Sequence, residues 1–143
     1  MTPAVPTAVT APPRAAGRRW DLEDVVVTLV NRVRAQHGLS RLRTDGHLRS
    51  AARAHSEDKA RRGFFAHVSP DGHSPADRMR RHGCTRPGGE NIAVGQRRAT
   101  AVMEAWLNSP GHRANLLNPD FATIGVGVHI GSRGHWWTQN FGY

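Results

Sequence analysis

Three residues in this sequence have the chemistry to do more than pack: His67 in FFAHVSPDG, Glu90 in GENIAVG and His112 in NSPGHRANLLN. Both imidazoles stand among turn residues, where a scaffold displays functional side chains. His67 follows two aromatics and precedes Ser-Pro, and His112 follows Pro-Gly. Each can exchange a proton near neutral pH or bind a metal through a neutral ring nitrogen. Glu90 lies between glycine and an amide at the head of a short apolar run, where a bare carboxylate is costly. It must face something. Spacing alone does not join the three residues, because there is no HExxH and no other short-range ligand spacing.

The remaining reactive groups read as structural. Cys84 is the single cysteine, so no internal disulfide forms, and it reads as a loop thiol although Arg86 is near. Ser69 and Ser109 each precede proline and read as turn residues. His55 falls on a helix face as a core histidine, and the other six histidines read as solvated or packed. In the pair Trp136-Trp137, strand alternation sends one ring inward and the other toward the surface.

The chain has 143 residues, enough for one domain with a real core, and a formal net charge of +9. Lys59 is its only lysine; the other basic residues are arginines, scattered with no run longer than two. That balance admits an anionic surface as partner. Nucleic acid is disfavoured, because aromatics are not interleaved with the arginines. No window approaches the ~18 apolar residues of a membrane span.

These residues need elements to position them. Residues 1–19, rich in Ala, Pro and Thr, read as a disordered linker with no apolar core of a secretory signal, and residues 20–143 as the domain. A first helix is expected from Asp21 as N-cap to His37-Gly38, with Val26, Leu29, Val30 and Val33 inward. A second runs from about Thr44 or Asp45 to Arg62, burying Leu48, Ala51, Ala52, His55 and the stem of Lys59, and Gly63 ends it. SPADRMRRHG is a third helix, capped by Ser74, and RATAVMEAWLNS a fourth, with Val102, Met103 and Trp106 inward. TIGVGVHI and HWWTQNFG form a hairpin about Gly131–Gly134, and ENIAV a third strand. The fold class is α+β: about four helices packed on a small antiparallel sheet.

FFAHVSPDG, GENIA, AWLNSPGHRANLLNPDFATIGVGV and WWTQNFG, in this order, resemble the CAP superfamily of cysteine-rich secretory, antigen-five and pathogenesis-related proteins, in its bacterial SCP-like branch. The resemblance covers about residues 22–143. It implies a three-layer α-β-α sandwich whose cleft carries two histidines and two acids. By motif, the histidines match His67 and His112, and one acid matches Glu90. The second acid, three residues after the helix tryptophan Trp106, is replaced by Ser109.

The resemblance thus turns Glu90 toward His67 and His112, with Ser109 and Asn91 lining the cleft. Two neutral imidazoles and a carboxylate suit zinc or another divalent metal. The glycines before Glu90 let the backbone pass close to the cleft wall, and Asn91 satisfies nearby backbone groups. The function expected is a monomeric extracellular or envelope-associated binding module, with a lipid, glycan or protein as ligand. One alternative is a metal-dependent hydrolase using His67, Glu90 and His112 as catalytic residues. The second alternative is a basic protein that binds nucleic acid or another anionic polymer. A third possibility for the cleft is that its polar groups only staple loops together.

Overall fold

The computed structural model of the chain describes residues 14–143, with side chains from residue 18 onward. In chain order the elements are α1 (Arg14–Gln36), β1 (Arg43–Thr44), α2 (Gly46–Arg62), α3 (Pro75–Arg81), β2 (Pro87–Val94), α4 (Ala99–Leu107), α5 (Pro110–Leu116), β3 (Thr123–Gly131) and β4 (Gly134–Gly142). The strands form one sheet in the order β1-β3-β4-β2. β3 pairs antiparallel with β4, and β4 with β2, but β1 lies parallel to β3. The sheet is therefore mixed rather than antiparallel, through a strand of two residues that no periodicity can announce.

Two helix boundaries differ from expectation. α1 starts at Arg14, so Asp21 lies inside the helix instead of capping it. Alanine and arginine are good helix formers and carry the helix back through this stretch. Residues 1–13 of the expected linker lie outside the described residues. α5 is a fifth helix where about four are expected: Ser109-Pro110 reads as turn chemistry, yet proline also suits the first turn of a helix.

α2 and α3 begin where the capping residues place them. Asp45 Oδ1 accepts from Leu48 N at 3.0 Å at the head of α2, and Gly63 ends that helix with φ 66°. Ser74 and Asp77 form a reciprocal capping box at the head of α3.

Alternation along the strands separates the layers. Ile124, Val126 and Val128 of β3 and Trp137 and Phe141 of β4 enter a core with Val26 and Val30 of α1 and Val102, Met103 and Trp106 of α4. Trp137 is fully buried and Trp136 partly exposed, as the alternation requires. On the opposite face, Gly125 and Gly127 let α2 lie directly on the sheet. A Cβ at Gly125 would overlap the backbone of Leu48 and Arg49, and one at Gly127 that of Ala52 and Arg53. Buried polar groups lock α2 there. Ser56 Oγ donates to Gly127 O at 3.0 Å, and Lys59 Nζ to Trp137 O at 2.8 Å. Helices thus cover both faces of the sheet, which makes the three-layer α-β-α sandwich.

Two further buried side chains join α1 to distant segments. Glu23 accepts from Val128 N at 3.0 Å and from Arg53 Nε at 3.0 and 3.1 Å. Arg34, fully buried, donates to Ser40 O at 2.8 Å and to Leu116 O and Asn118 O at 2.9 Å each. No helix among the described residues is long and apolar enough to cross a membrane.

Candidate functional site

β2 is an edge strand, and its neighbouring residues Glu90 and Asn91 leave it on opposite faces. Glu90 points into the layer of α2 and α3. Asn91 points the other way, toward α5. The two glycines before them are needed for close approach: a Cβ on Gly88 would press on the Phe121 ring and on Phe141 O, and one on Gly89 on the Asn115 amide. One edge strand thereby governs both sides of the cleft.

The Glu90 side chain is 1% exposed and heavily engaged. Its Oε1 accepts from His67 Nδ1 at 2.9 Å. Arg78 Nη2 donates to both carboxylate oxygens, at 2.9 and 3.2 Å. Asn140, cross-strand from Glu90, donates to Oε2 at 3.0 Å once its amide nitrogen faces the carboxylate. Because an ionised carboxylate only accepts, the His67 Nδ1 that faces it carries a proton, and Nε2 is the ring nitrogen that Glu90 does not use. The His67 side chain is 49% exposed, so solvent and ligands reach the ring.

Two more ionisable groups stand behind this pair. His55 Nε2 donates to Ala66 O at 3.0 Å, which ties the FFAH segment to α2, and lies 3.8 Å from Glu90 Oε1. Burial lowers its pKa to about 4, against the pull of the Glu90 charge and with added repulsion from Arg78 and Lys59. Burial likewise brings the Lys59 ammonium down to about 7, opposed by Glu90 and aided by Arg78. Glu90, Arg78, His55 and Lys59 form a buried ionisable cluster under the cleft, in which Arg78 is the counter-ion held directly against Glu90.

His112 arrives by a different route. Asn91, fully buried, donates to His112 O at 3.2 Å and to Gln139 Oε1 at 3.1 Å, and accepts from Asn115 Nδ2 at 2.9 Å. Asn91 therefore serves the backbone of α5 from behind the cleft surface. The His112 ring is half-buried, and its Nδ1 is buried with no hydrogen-bond partner. Burial, and then the charge of nearby His67, hold its pKa below the usual value. No hydrogen bond joins His112 to Glu90 among the described residues.

Ser109 is the N-cap of α5, half-buried, and its hydroxyl makes no capping bond. Glu104 is exposed on α4, and Cys84 is a free thiol. Among the described residues, no group of three or more His, Cys, Asp or Glu side chains is drawn together tightly enough to hold a metal ion. The sequence reading missed Arg78. A carboxylate buried beside an apolar strand signals that a cation must meet it, but nothing singled out Arg78 from the other arginines. His55 was read as a core histidine; it is one, yet it also contributes to the cluster.

The arrangement matches known proteins over nearly its whole length. The model of the cysteine-rich secretory protein family, CAP, matches residues 27–141. The chain is 46% identical over 121 residues to the uncharacterized protein YkwD of Bacillus subtilis, covering 83% of this chain and 46% of that protein. It is 40% identical over 120 residues to the uncharacterized membrane protein YlbC of the same organism, covering 83% of this chain and 34% of that protein. The chain thus spans less than half the length of these curated relatives. The crystal structure of an extracellular protein containing a SCP domain, from Bacillus anthracis, superposes with a TM-score of 0.81 at 33% identity, over 93% of this chain and 45% of that one. With its motifs, its sandwich and these matches in agreement, the chain belongs to the cysteine-rich secretory protein family.

Proposed function

We propose that this domain is an extracellular or cell-envelope binding module, which presents His67 and His112 to a lipid, glycan or protein ligand. Glu90 holds that surface in place and does not react in it. One observation carries this reading: the Glu90 carboxylate is buried and already accepts from His67 and, on both oxygens, from Arg78. A general base or nucleophile needs a lone pair aimed at its reactant. Glu90 spends its lone pairs inside the protein, and what it gives the cleft is a fixed His67 tautomer. The extracellular placement is supported by the Bacillus anthracis relative, whose structure is described as that of an extracellular protein.

The test is to offer the purified domain peptide, glycan and envelope-lipid libraries, following turnover and the imidazole resonances of His67 and His112. Saturable shifts without turnover are expected. Turnover that disappears in His112→Ala would replace this reading with the hydrolase.

A second reading has its own support. The His67 side chain is half-exposed and near enough to His112 to act on its charge, and a carboxylate behind a ligating histidine is the usual support for such a ligand. On this reading a divalent ion would be held by the two imidazoles and completed by water, with Glu90 acting behind His67. Such an ion would supply positive charge to anchor an anionic or carbonyl group of a ligand. Zinc titration followed by calorimetry tests it: uptake near neutral pH is expected, lost in His67→Ala and His112→Ala and on acidification, since protons compete for the same nitrogens.

A further inference from the structure

Behind the Glu90 cluster, α2 and α3 enclose a groove of about 380 Å³. His55 and Arg78, which both approach Glu90, form part of its wall. The rim carries Arg61 and Arg62 from the end of α2, Asp71 and His73 from the following loop, and Arg81 from α3. Four guanidiniums therefore face two carboxylates, Asp58 and Asp71.

The pairing among them is uneven. Arg62 alone reaches both aspartates, donating to Asp58 at 2.6 and 2.7 Å and to Asp71 at 2.6 Å. Arg61 has one contact with Asp58, at 3.3 Å, and its side chain is 72% exposed. Arg78 is matched by Glu90, yet its Nε is buried with no acceptor. Arg81 meets no carboxylate among the described residues; its Nη1 donates to His73 Nε2 at 3.0 Å. In that contact the ring nitrogen accepts, since guanidinium only donates, and it also lies 3.7 Å from Asp71 Oδ2. A guanidinium held against an imidazole rather than a carboxylate, beside a second with one long contact, is a surplus of donors with no anion to receive them.

We propose that this groove is an anion site for a phosphate ester, separate from the His67–His112 surface and sharing the Arg78 wall with it. Asp58 and Asp71 do not bar an anion, because the Arg62 guanidinium covers both. The geometry favours phosphate over carboxylate. A carboxylate offers two oxygens and matches one planar fork, whereas a phosphate presents three strong acceptor oxygens in different directions. Arg81 on one side, exposed Arg61 on the other and the Arg78 wall between them supply donors from different directions. The ester belongs either to a soluble molecule or to a lipid headgroup, and the chemistry of the site is the same for both.

The experiment titrates isotope-labelled protein with glycerol 3-phosphate and follows the arginine side-chain resonances. Saturable shifts confined to Arg61, Arg78 and Arg81 are expected, with affinity reduced about tenfold in Arg81→Gln. Arg133→Gln, in the β3–β4 turn, removes the same charge elsewhere and leaves the affinity unchanged. Both substitutions are on exposed residues, so folding is not at issue. Flotation with phosphatidic acid vesicles, in wild type and Arg81→Gln, assigns the source. Arg81-dependent flotation makes it a headgroup, and saturable glycerol 3-phosphate binding without flotation makes it a soluble ester. Shifts that rise without saturating, or equal losses in Arg81→Gln and Arg133→Gln, would overturn the proposal, because phosphate would then be responding to overall charge alone.

Discussion

Replacing Glu90 with glutamine keeps its shape and removes the charge that Arg78 faces. Arg78 is only 11% exposed at its side chain, so it would be left as a nearly buried, uncompensated cation. A loss of about 3 kcal/mol in denaturant unfolding is expected for Glu90→Gln. Arg78→Met should cost a similar amount alone. The double variant should recover part of the sum, because an apolar side chain then meets a neutral amide. Strict additivity would show that the two groups do not couple. A second prediction concerns Ser109, at the N-cap of α5 with His112 three residues on. Those positions share a helix face, and the Ser109 hydroxyl makes no capping bond that would be lost. Ser109→Glu should therefore tighten zinc about tenfold by adding a carboxylate beside His112. Unchanged affinity by calorimetry would put position 109 outside the cleft.

At the scale of elements, α2 packs directly on the glycines of β3. Even the smallest side chain at Gly125 would collide with the α2 backbone, which cannot rotate away as a side chain can. Gly125→Ala should cost about 3 kcal/mol or more in urea unfolding, by forcing helix and sheet apart. Ser74→Ala, which removes half of the α3 capping box, should cost only about 1 kcal/mol. A Gly125→Ala protein as stable as wild type would mean that α2 does not rest on that strand. The contrast also explains what the sequence disclosed. Capping residues and apolar spacing named α2, α3 and α4 and the β3–β4 hairpin, because those signals are local. The TIGVGV stretch announced a strand but not why its alternate positions are glycine, since the reason lies on another element. β1 has two residues and finds its strand partner in β3, far along the sequence. His67, Glu90 and His112 were legible through their motifs. Arg78 was not, because its role exists only once α3 folds against β2.

For the whole molecule, the buried bases set how stability follows pH. His55 has a folded pKa of about 4 against an ordinary value near 6.5. The unfolded chain thus takes the proton first, and stability falls as pH drops from about 6.5 to about 4. This single group accounts for about 3 kcal/mol over that interval. Lys59 acts in the same direction higher up, with a folded pKa of about 7 against 10.5. Its burial costs most below pH 7, and the cost is relieved as pH rises toward 10.5. Urea midpoints measured across pH should therefore rise from acid to alkaline conditions. His55→Phe should flatten the acidic part of the curve, and a slope unchanged in that variant would assign it to other groups.

The strand order carries a consequence for how the chain matures. β4 follows every other described strand in sequence, yet it lies between β3 and β2 and is the sole partner of β2. During synthesis, β2 with Glu90 leaves the ribosome long before the strand that must pair with it. Until residues 134–142 emerge, β2 has an unpaired edge and its buried carboxylate lacks Asn140, so the sheet cannot close progressively. Completion of the sheet waits for β4 and should come in one cooperative step. A nascent chain arrested before Gly134 should stay sensitive to protease throughout, and release of the last strand should confer resistance on α2 and β2 together.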